Sequence, residues 1–242
     1  MDTWQWIGGY IPVEAVLLAN SREMRQIYVT RERLDSRLAK LERLARERGV
    51  PVEQSDAQTL THLTGAPGHG GVAAQVGPRR TVELADLFAN PTPALVMLDG
   101  VEDPYNFGQA VRALYAAGLD GLIVRQRNWL SAGAAVRASA GATELMPTAS
   151  VETAEEAAAA ARARGLRVAV ADEAGAPMAE TDLTGPLLLV IGGEKRGVTR
   201  SFRHAADLRV RIAYGRPFAY SLGTAGAATA LAFEILRQRA SR

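Results

Sequence analysis

From residue 94 onward the apolar positions fall into two alternating kinds of run. ALVMLD (94–99), DGLIVR (120–125), LRVAVAD (166–172), PLLLVIGG (186–193) and LRVRIA (208–213) are short and strongly apolar, and predict strands. Between them, FGQAVRALYAAG (107–118), TAEEAAAAARARG (153–165) and TAGAATALAFEILRQR (224–239) predict helices. Gly118 ends the first helix, and Thr153 with Glu156 gives the second a capping-box pattern. AGAAVRASAGA (132–142) reads as helix or as a tight Gly/Ala turn. Strands alternating with helices predict an α/β fold on an open parallel sheet.

The first part of the chain has a different, smaller pattern. IPVEAVLLAN (11–20) predicts a short apolar helix, and RQIYVT (25–30) a strand with Ile27 and Val29 alternating. Leu34, Leu38, Leu41 and Ala45 then recur at helical spacing up to Gly49. A short strand (50–56), a short helix (56–65) and a Gly-rich turn running into an apolar strand (68–78) complete a small α/β unit. Residues 79–93 lack a strand pattern and end in Pro91 and Pro93, which mark a boundary. The expected domains are therefore 1–78 and 92–242, joined by a linker at 79–91.

Composition narrows the chemistry. With 242 residues, 48% of them hydrophobic, the chain can bury a substantial core. Cysteine is absent, which excludes disulfides, thiolate metal sites and a thiol nucleophile. The three histidines, His62, His69 and His204, are scattered, so no metal site is expected. The net charge of +2 leans towards anionic partners. The basic residues are almost all arginines, Lys40 and Lys195 being the lysines; this suits phosphate contacts, and biased codon usage accounts for it equally well. Asp2 and the lack of basic residues before the first apolar stretch do not form a secretion signal, and no apolar run reaches the roughly 20 residues of a membrane span. A soluble, cytoplasmic protein without membrane contact is expected.

Three stretches carry candidate chemistry. In LDGVEDPYNFGQAVR (98–112), Pro104 and Gly108 shape a strand-to-helix turn that holds Asn106, with Arg112 following in the helix. Read alone, Asn106 is either a helix cap or a site residue, and Arg112 either a solvated charge or a site residue. In LLLVIGGEKRGVTR (187–200), an apolar strand enters a Gly-rich turn, which is either a ligand cradle or a plain connection. Its spacing is neither GxGxxG nor that of a P-loop, so a dinucleotide or ATP site is not supported. In RIAYGRPFAYSLGTAG (211–226), a strand ends in an aromatic loop and Ser221 is placed to cap the last helix.

The order of these stretches, DPxNxGxxxR, then GxExxG after an apolar strand, then a strand and an SL-opened C-terminal helix, resembles the SpoU/TrmH family of SPOUT-class RNA methyltransferases. RASAGA (137–142) is similar to a turn common in the family, and His69-Gly70-Gly71 resembles the end of its ribosomal-protein-like substrate-binding domain. The resemblance implies a parallel sheet with a deep trefoil knot, a homodimer, and S-adenosyl-L-methionine as cofactor in 2′-O-methylation of a ribose in RNA, ribosomal RNA being favoured over transfer RNA. It assigns catalytic roles to Asn106, Arg112, Glu194 and Ser221, and cofactor contacts to Gly192, Gly193, Ile212, Leu222 and Gly223. Arg112 would clamp a phosphate and stabilise a developing alkoxide, Asn106 would orient it or the ribose, and Glu194 would hold the loop or Asn106. Tyr105, Phe107 and His69 are the expected substrate contacts, the two aromatics stacking on a base or else packing beneath the turn. Leu231, Phe233 and Ile235 are expected in the dimer interface, or else in the chain's own core. The sequence departs from the family where Ile212 is followed by Ala213-Tyr214 rather than Pro-Met, and where Gly223 replaces an Asn. That loss leaves a second reading open, a catalytically weak RNA-binding or ribosome-assembly relative.

Overall fold

The computed structural model describes residues 4–30 and 36–241; Asp2 and Leu34 of the sequence patterns lie outside the described residues. In chain order it holds β1 (Gln5–Gly8), α1 (Tyr10–Ala19), β2 (Met24–Thr30), α2 (Ser36–Glu47), β3 (Val52–Ser55), α3 (Ala57–Thr64), β4 (Val72–Val76), β5 (Ala94–Asp99), α4 (Pro104–Ala116), β6 (Gly121–Arg125), α5 (Gly133–Ala138), α6 (Ala142–Leu145), β7 (Thr148–Val151), α7 (Ala154–Ala163), β8 (Arg167–Pro177), β9 (Leu187–Gly192), α8 (Arg200–Ala205), β10 (Leu208–Arg211) and α9 (Thr224–Ala240). Two compact units result. The first comprises residues up to 80 together with 130–145, and the second comprises 81–129 and 146 onward.

In the first unit the strand order is β1-β4-β2-β3, with β4 antiparallel to β1 and β2, and β3 parallel to β2. Alternation sends Ile7, Ile27, Val29, Val72, Ala74 and Val76 to one face, where they meet Val13, Val16 and Leu17 of α1 and Leu38, Leu41 and Ala45 of α2. The sequence pattern did not predict β1. Its four residues become a strand because the edge of β4 pairs with them from Gln5↔Val76 to Gly8↔Ala73.

Residues 130–145 fold with this unit although the chain on both sides of them belongs to the other. Gly141 of the RASAGA stretch has φ +82°, and a Cβ there would lie 2.7 Å from Ala15 Cβ of α1, so only glycine fits both the backbone and the contact. The Glu144 carboxylate is fully buried and takes the Arg22 guanidinium at 2.8 Å, the Ser21 hydroxyl at 2.6 Å and Arg79 Nε at 3.4 Å. Arg22 also donates to the Leu130 carbonyl at 3.1 Å. One carboxylate thus answers two guanidiniums inside the unit.

The second unit carries a six-stranded sheet, β10-β8-β9-β5-β6-β7, parallel throughout. One face is covered by α7, whose Ala154, Ala157, Ala158 and Ala161 pack with Phe202 of α8 on Leu95, Met97, Ile123, Val168 and Val190. Small alanines let this helix lie close to the sheet. On the other side α4 and α9 pack together, burying Ala110, Val111 and Leu114 of the first and Ala228, Leu231, Ala232 and Ile235 of the second. Leu231 and Ile235 therefore belong to the chain's own core, while Phe233 of the expected interface set stays exposed.

Residues 81–91, expected as linker, fold into the second unit. A single 3-10 turn, Leu84–Phe88, buries Leu87, and Val82 N–H bonds the Thr148 carbonyl at 2.9 Å. Leu84 and Phe88 pack beside Leu87, but five residues are too few to show a helical period. The edge strand β7 was missed for the same reason, being four residues long and defined by its pairing with β6. Thr153 caps α7 as expected, but the Glu156 carboxylate accepts from Glu152 N–H at 2.8 Å rather than from the cap residue itself.

Removing the Glu144 carboxylate strands two buried guanidiniums. Glu144→Ala is expected to destabilise the chain by about 3–5 kcal/mol, read as a lowered urea midpoint.

Candidate active site

The chain leaves β5 for β6 and β7 on one side of the sheet, then returns through β8 and β9 on the other. The direction of strand order thus changes between β5 and β9, where ligands of open α/β sheets bind beyond the carboxyl ends of the strands. Asp99 and Gly192 are the last paired residues of these two strands, and the stretches holding Asn106 and Glu194 follow directly.

Two glycines bring the loops together. Gly193 N–H donates to the Asp99 carbonyl at 2.9 Å, and a Cβ at Gly193 would overlap the Gly100 carbonyl. A Cβ at Gly192 would come within 2.6 Å of Gly197 and Val198 backbone atoms. Side chains then tie the loops. Asn106 Nδ2 donates to Glu194 Oε1 at 3.1 Å, and Lys195 Nζ meets Glu102 Oε2 at 2.7 Å. The Glu102 carboxylate holds the Lys195 ammonium above its ordinary pKa, with its hydrogen bond the largest cause. Asn106 is free for this contact because it does not cap α4. The cap is Asp103, whose Oδ1 accepts Asn106 N–H at 2.7 Å, with Pro104 following at the first helical position.

Beside this clasp lies a cleft of about 640 Å³, within the second unit. Gly192, Gly193, Glu194, Ile212, Ser221 and Leu222 of the expected site residues line it. Gly223 does not; it is the N-cap of α9, offers no side-chain cap, and displaces Ser221 from that expected role. Thr224, which sequence reading passed over, is buried and donates its hydroxyl to the Gly192 carbonyl at 3.3 Å, fixing the start of α9 to the second loop. Asp172 also lines the cleft. Burial pushes its carboxyl up, but bonds from Arg209 Nε at 2.7 Å and Ala174 N–H, with Arg203 nearby, hold it below the ordinary aspartate value.

Asn106, Arg112, Tyr105 and Phe107 are not among the lining residues. Tyr105 and Arg112 are seven positions apart on α4, share one helical face, and are both exposed. Arg112 has no hydrogen-bond or ion-pair partner among the described residues. Phe107 is buried in the core and cannot stack on a base, so of its two readings the packing one holds. His69 lies in the first unit, buried, with Nδ1 accepting Gly71 N–H at 3.1 Å and Nε2 facing Thr61 Oγ1 at 3.1 Å. Through these two contacts the ring braces the turn. Among the described residues no group of His, Asp or Glu is placed to hold a metal ion, and no helix is long and apolar enough to cross a membrane.

Residues 93–233 match the sequence model of the SpoU rRNA Methylase family. The chain belongs to that family. Residues 6–82 match a second model, RNA 2′-O ribose methyltransferase substrate binding. Among relatives of this SpoU chain, the 23S rRNA (guanosine-2′-O-)-methyltransferase RlmB of Pseudomonas aeruginosa is 33% identical over 250 residues, covering 99% of the chain and 98% of the relative. The RlmB of Photorhabdus laumondii is 32% identical over 249 residues, with 97% and 98% covered. The SpoU methyltransferase AviRb of Streptomyces viridochromogenes, solved in complex with the cofactor AdoMet, superposes with a TM-score of 0.83 at 26% identity, covering 99% of this chain and 92% of that one. The SpoU assignment thus spans both units.

Gly193, in the cleft lining, and Gly223, at the start of α9, should respond oppositely to substitution. Gly193→Ala is expected to cost about 1–3 kcal/mol or more through overpacking, because the new Cβ meets backbone on the opposing loop. At Gly223 an added Cβ meets nothing within 4 Å, so Gly223→Asn is expected to keep the fold and gain a few tenths of a kcal/mol by capping α9. Thermal denaturation of both variants checks this.

Proposed function

We propose that this chain transfers the methyl group of S-adenosyl-L-methionine to the 2′-hydroxyl of a guanosine ribose in 23S ribosomal RNA, in the cytoplasm. The observation that carries the reading is the Asn106–Glu194 hydrogen bond at the edge of a cleft lined by Gly192, Ile212 and Leu222. The full-length similarity to enzymes named for this reaction gives the substrate.

The cleft fits the cofactor. Its volume of about 640 Å³ lies within the usual range for such ligands. Gly192, Ile212 and Leu222 line it and would hold the cofactor through backbone groups, and Ile191, Val198 and Leu231 supply an apolar wall. When bound, the cofactor supplies a methyl group on a sulfonium, which needs alignment more than activation. Aligning the ribose oxygen can contribute up to about 7–11 kcal/mol. The Arg112 side chain ends in a guanidinium, a planar cation with five donors and no acceptor. It therefore acts as a cation, holding the phosphate beside the target ribose in a bidentate grip and stabilising the oxygen as it gains charge. Asn106, fixed by Glu194, orients the ribose side of this arrangement.

Arg112 is exposed, unpaired and outside the lining of its own cleft. This supports a homodimer in which Arg112 completes the partner's site. The exposed apolar residues Tyr105 and Tyr115 on α4, and Phe233 and Leu236 on α9, supply surface for that contact. We infer a trefoil knot in this unit from its membership of the SpoU family, and the tie between Thr224 and Gly192, which holds the start of α9 against the second loop, supports it. The first unit holds the RNA. Its match to the substrate-binding model supports this, as do Trp6 stacked on Tyr28 at 5.5 Å and Arg25 over the Trp4 ring.

Arg112→Ala is expected to lower single-turnover methyl transfer to 23S rRNA by a factor of about 100 or more while calorimetry shows unchanged cofactor affinity. Undiminished transfer would remove the role given to Arg112, and no cofactor binding at millimolar concentration would remove the whole reading. Ribose-methylation mapping of 23S rRNA with and without the gene identifies the nucleotide.

A further inference from the structure

The loop between β10 and α9 carries an aromatic ladder that nothing above uses. Tyr214 and Phe218 meet edge to face with centroids 6.2 Å apart, and Phe218 and Tyr220 do the same at 5.6 Å. All three rings line the cleft, and they climb out of it: Tyr214 is 39% exposed, Phe218 61% and Tyr220 74%. The inner ring is anchored, because the Tyr214 hydroxyl accepts Leu222 N–H at 3.1 Å and closes the loop on itself. Edge-to-face packing leaves the outer ring faces open. A contiguous group of exposed aromatics marks an interaction surface.

The charges beside the ladder say what it meets. Arg196, Arg211 and Arg216 line the same cleft and have no hydrogen-bond or ion-pair partner among the described residues. Arg203 is engaged by Asp172 at 3.5 Å. Three carboxylates line the same cleft: Asp172, bonded to Arg209 and Arg203, Glu194, which accepts from Asn106, and Glu173. Aromatic faces interleaved with unpaired arginines are what single-stranded nucleic acid requires, rings for the bases and guanidiniums for the phosphates. The cofactor is the other nucleobase at this site. It has no phosphate to engage three unpaired guanidiniums, whereas an RNA strand does.

The geometry points to Tyr214, Phe218 and Tyr220 as a stacking lip that receives an unstacked base of the RNA at the mouth of the cleft, with Arg196, Arg211 and Arg216 on the flanking phosphates. This rests on the methyltransferase reading and names a contact within it. Tyr214, the inner ring of the lip, stands where the sequence departs from the family pattern, at Ala213-Tyr214.

The test uses the full chain and a single-stranded oligoribonucleotide of about 12 nucleotides carrying one 2-aminopurine. Binding to the unaltered protein is expected to quench the 2-aminopurine by stacking. In the Phe218→Ala/Tyr220→Ala variant the quench is lost and the Kd rises by about tenfold or more, while S-adenosylhomocysteine affinity by calorimetry stays within about twofold. Phe218→Trp/Tyr220→Trp restores the quench. The proposal is overturned if the alanine variant quenches and binds the oligonucleotide as before, if it loses S-adenosylhomocysteine instead, or if sedimentation shows that it has lost its self-association. An unaltered protein that binds neither probe overturns the methyltransferase reading as well. One that binds both, with an indistinguishable alanine variant, overturns the lip alone.

Discussion

The second unit depends on the place where two loops touch through bare backbone. Gly193 donates to the Asp99 carbonyl, and any side chain on Gly193 would overlap the Gly100 carbonyl. Strands β5 and β9 can therefore end side by side and release their loops in the same direction. Side chains on those loops then come within reach of each other, Asn106 to Glu194 and Lys195 to Glu102. Each of these ties is exposed and individually weak. Their geometry is set by the glycine contact beneath them, which is why a small residue at one position governs a site built from several distant stretches.

Helix capping explains how Asn106 comes to serve the site. A helix start needs a side-chain acceptor, and Asp103 supplies it. Asn106 is then released from structural duty and points its amide across to the other loop. The same economy fails at α9, where Gly223 offers no cap and Ser221 faces the cleft instead. Thr224 compensates by bonding the Gly192 carbonyl, so the last helix is fixed by a tie to the second loop rather than by its own first turn.

In the first unit the comparable constraint is electrostatic. Arg22, Arg79 and Glu144 are drawn from segments more than fifty residues apart and are buried together, with Ser21 completing the carboxylate's bonds. A buried charge group of this kind is poor at adding stability but severe in its demand for partners. It specifies that residues 130–145 fold with this unit. Gly141 against Ala15 adds a steric demand to the same docking.

The sequence by itself determined the alternation of strands and helices, the parallel character of the larger sheet, and the stretches that carry the chemistry. Those features rest on local periodicity and on turn residues, which adjacent positions are enough to encode. Short elements were illegible: β1, β7 and the turn at Leu84–Phe88 have too few residues for a period and exist through strand pairing or through packing on the core. The roles of Phe107, His69 and Gly223 were also decided by tertiary structure, because burial and the identity of a cap depend on neighbours far along the chain. So did the division of the chain at 80 and its return at 130–145. Sequence named the residues that could act. Only the packed chain decided which of them face the cleft, because that depends on where two glycines let distant backbones meet.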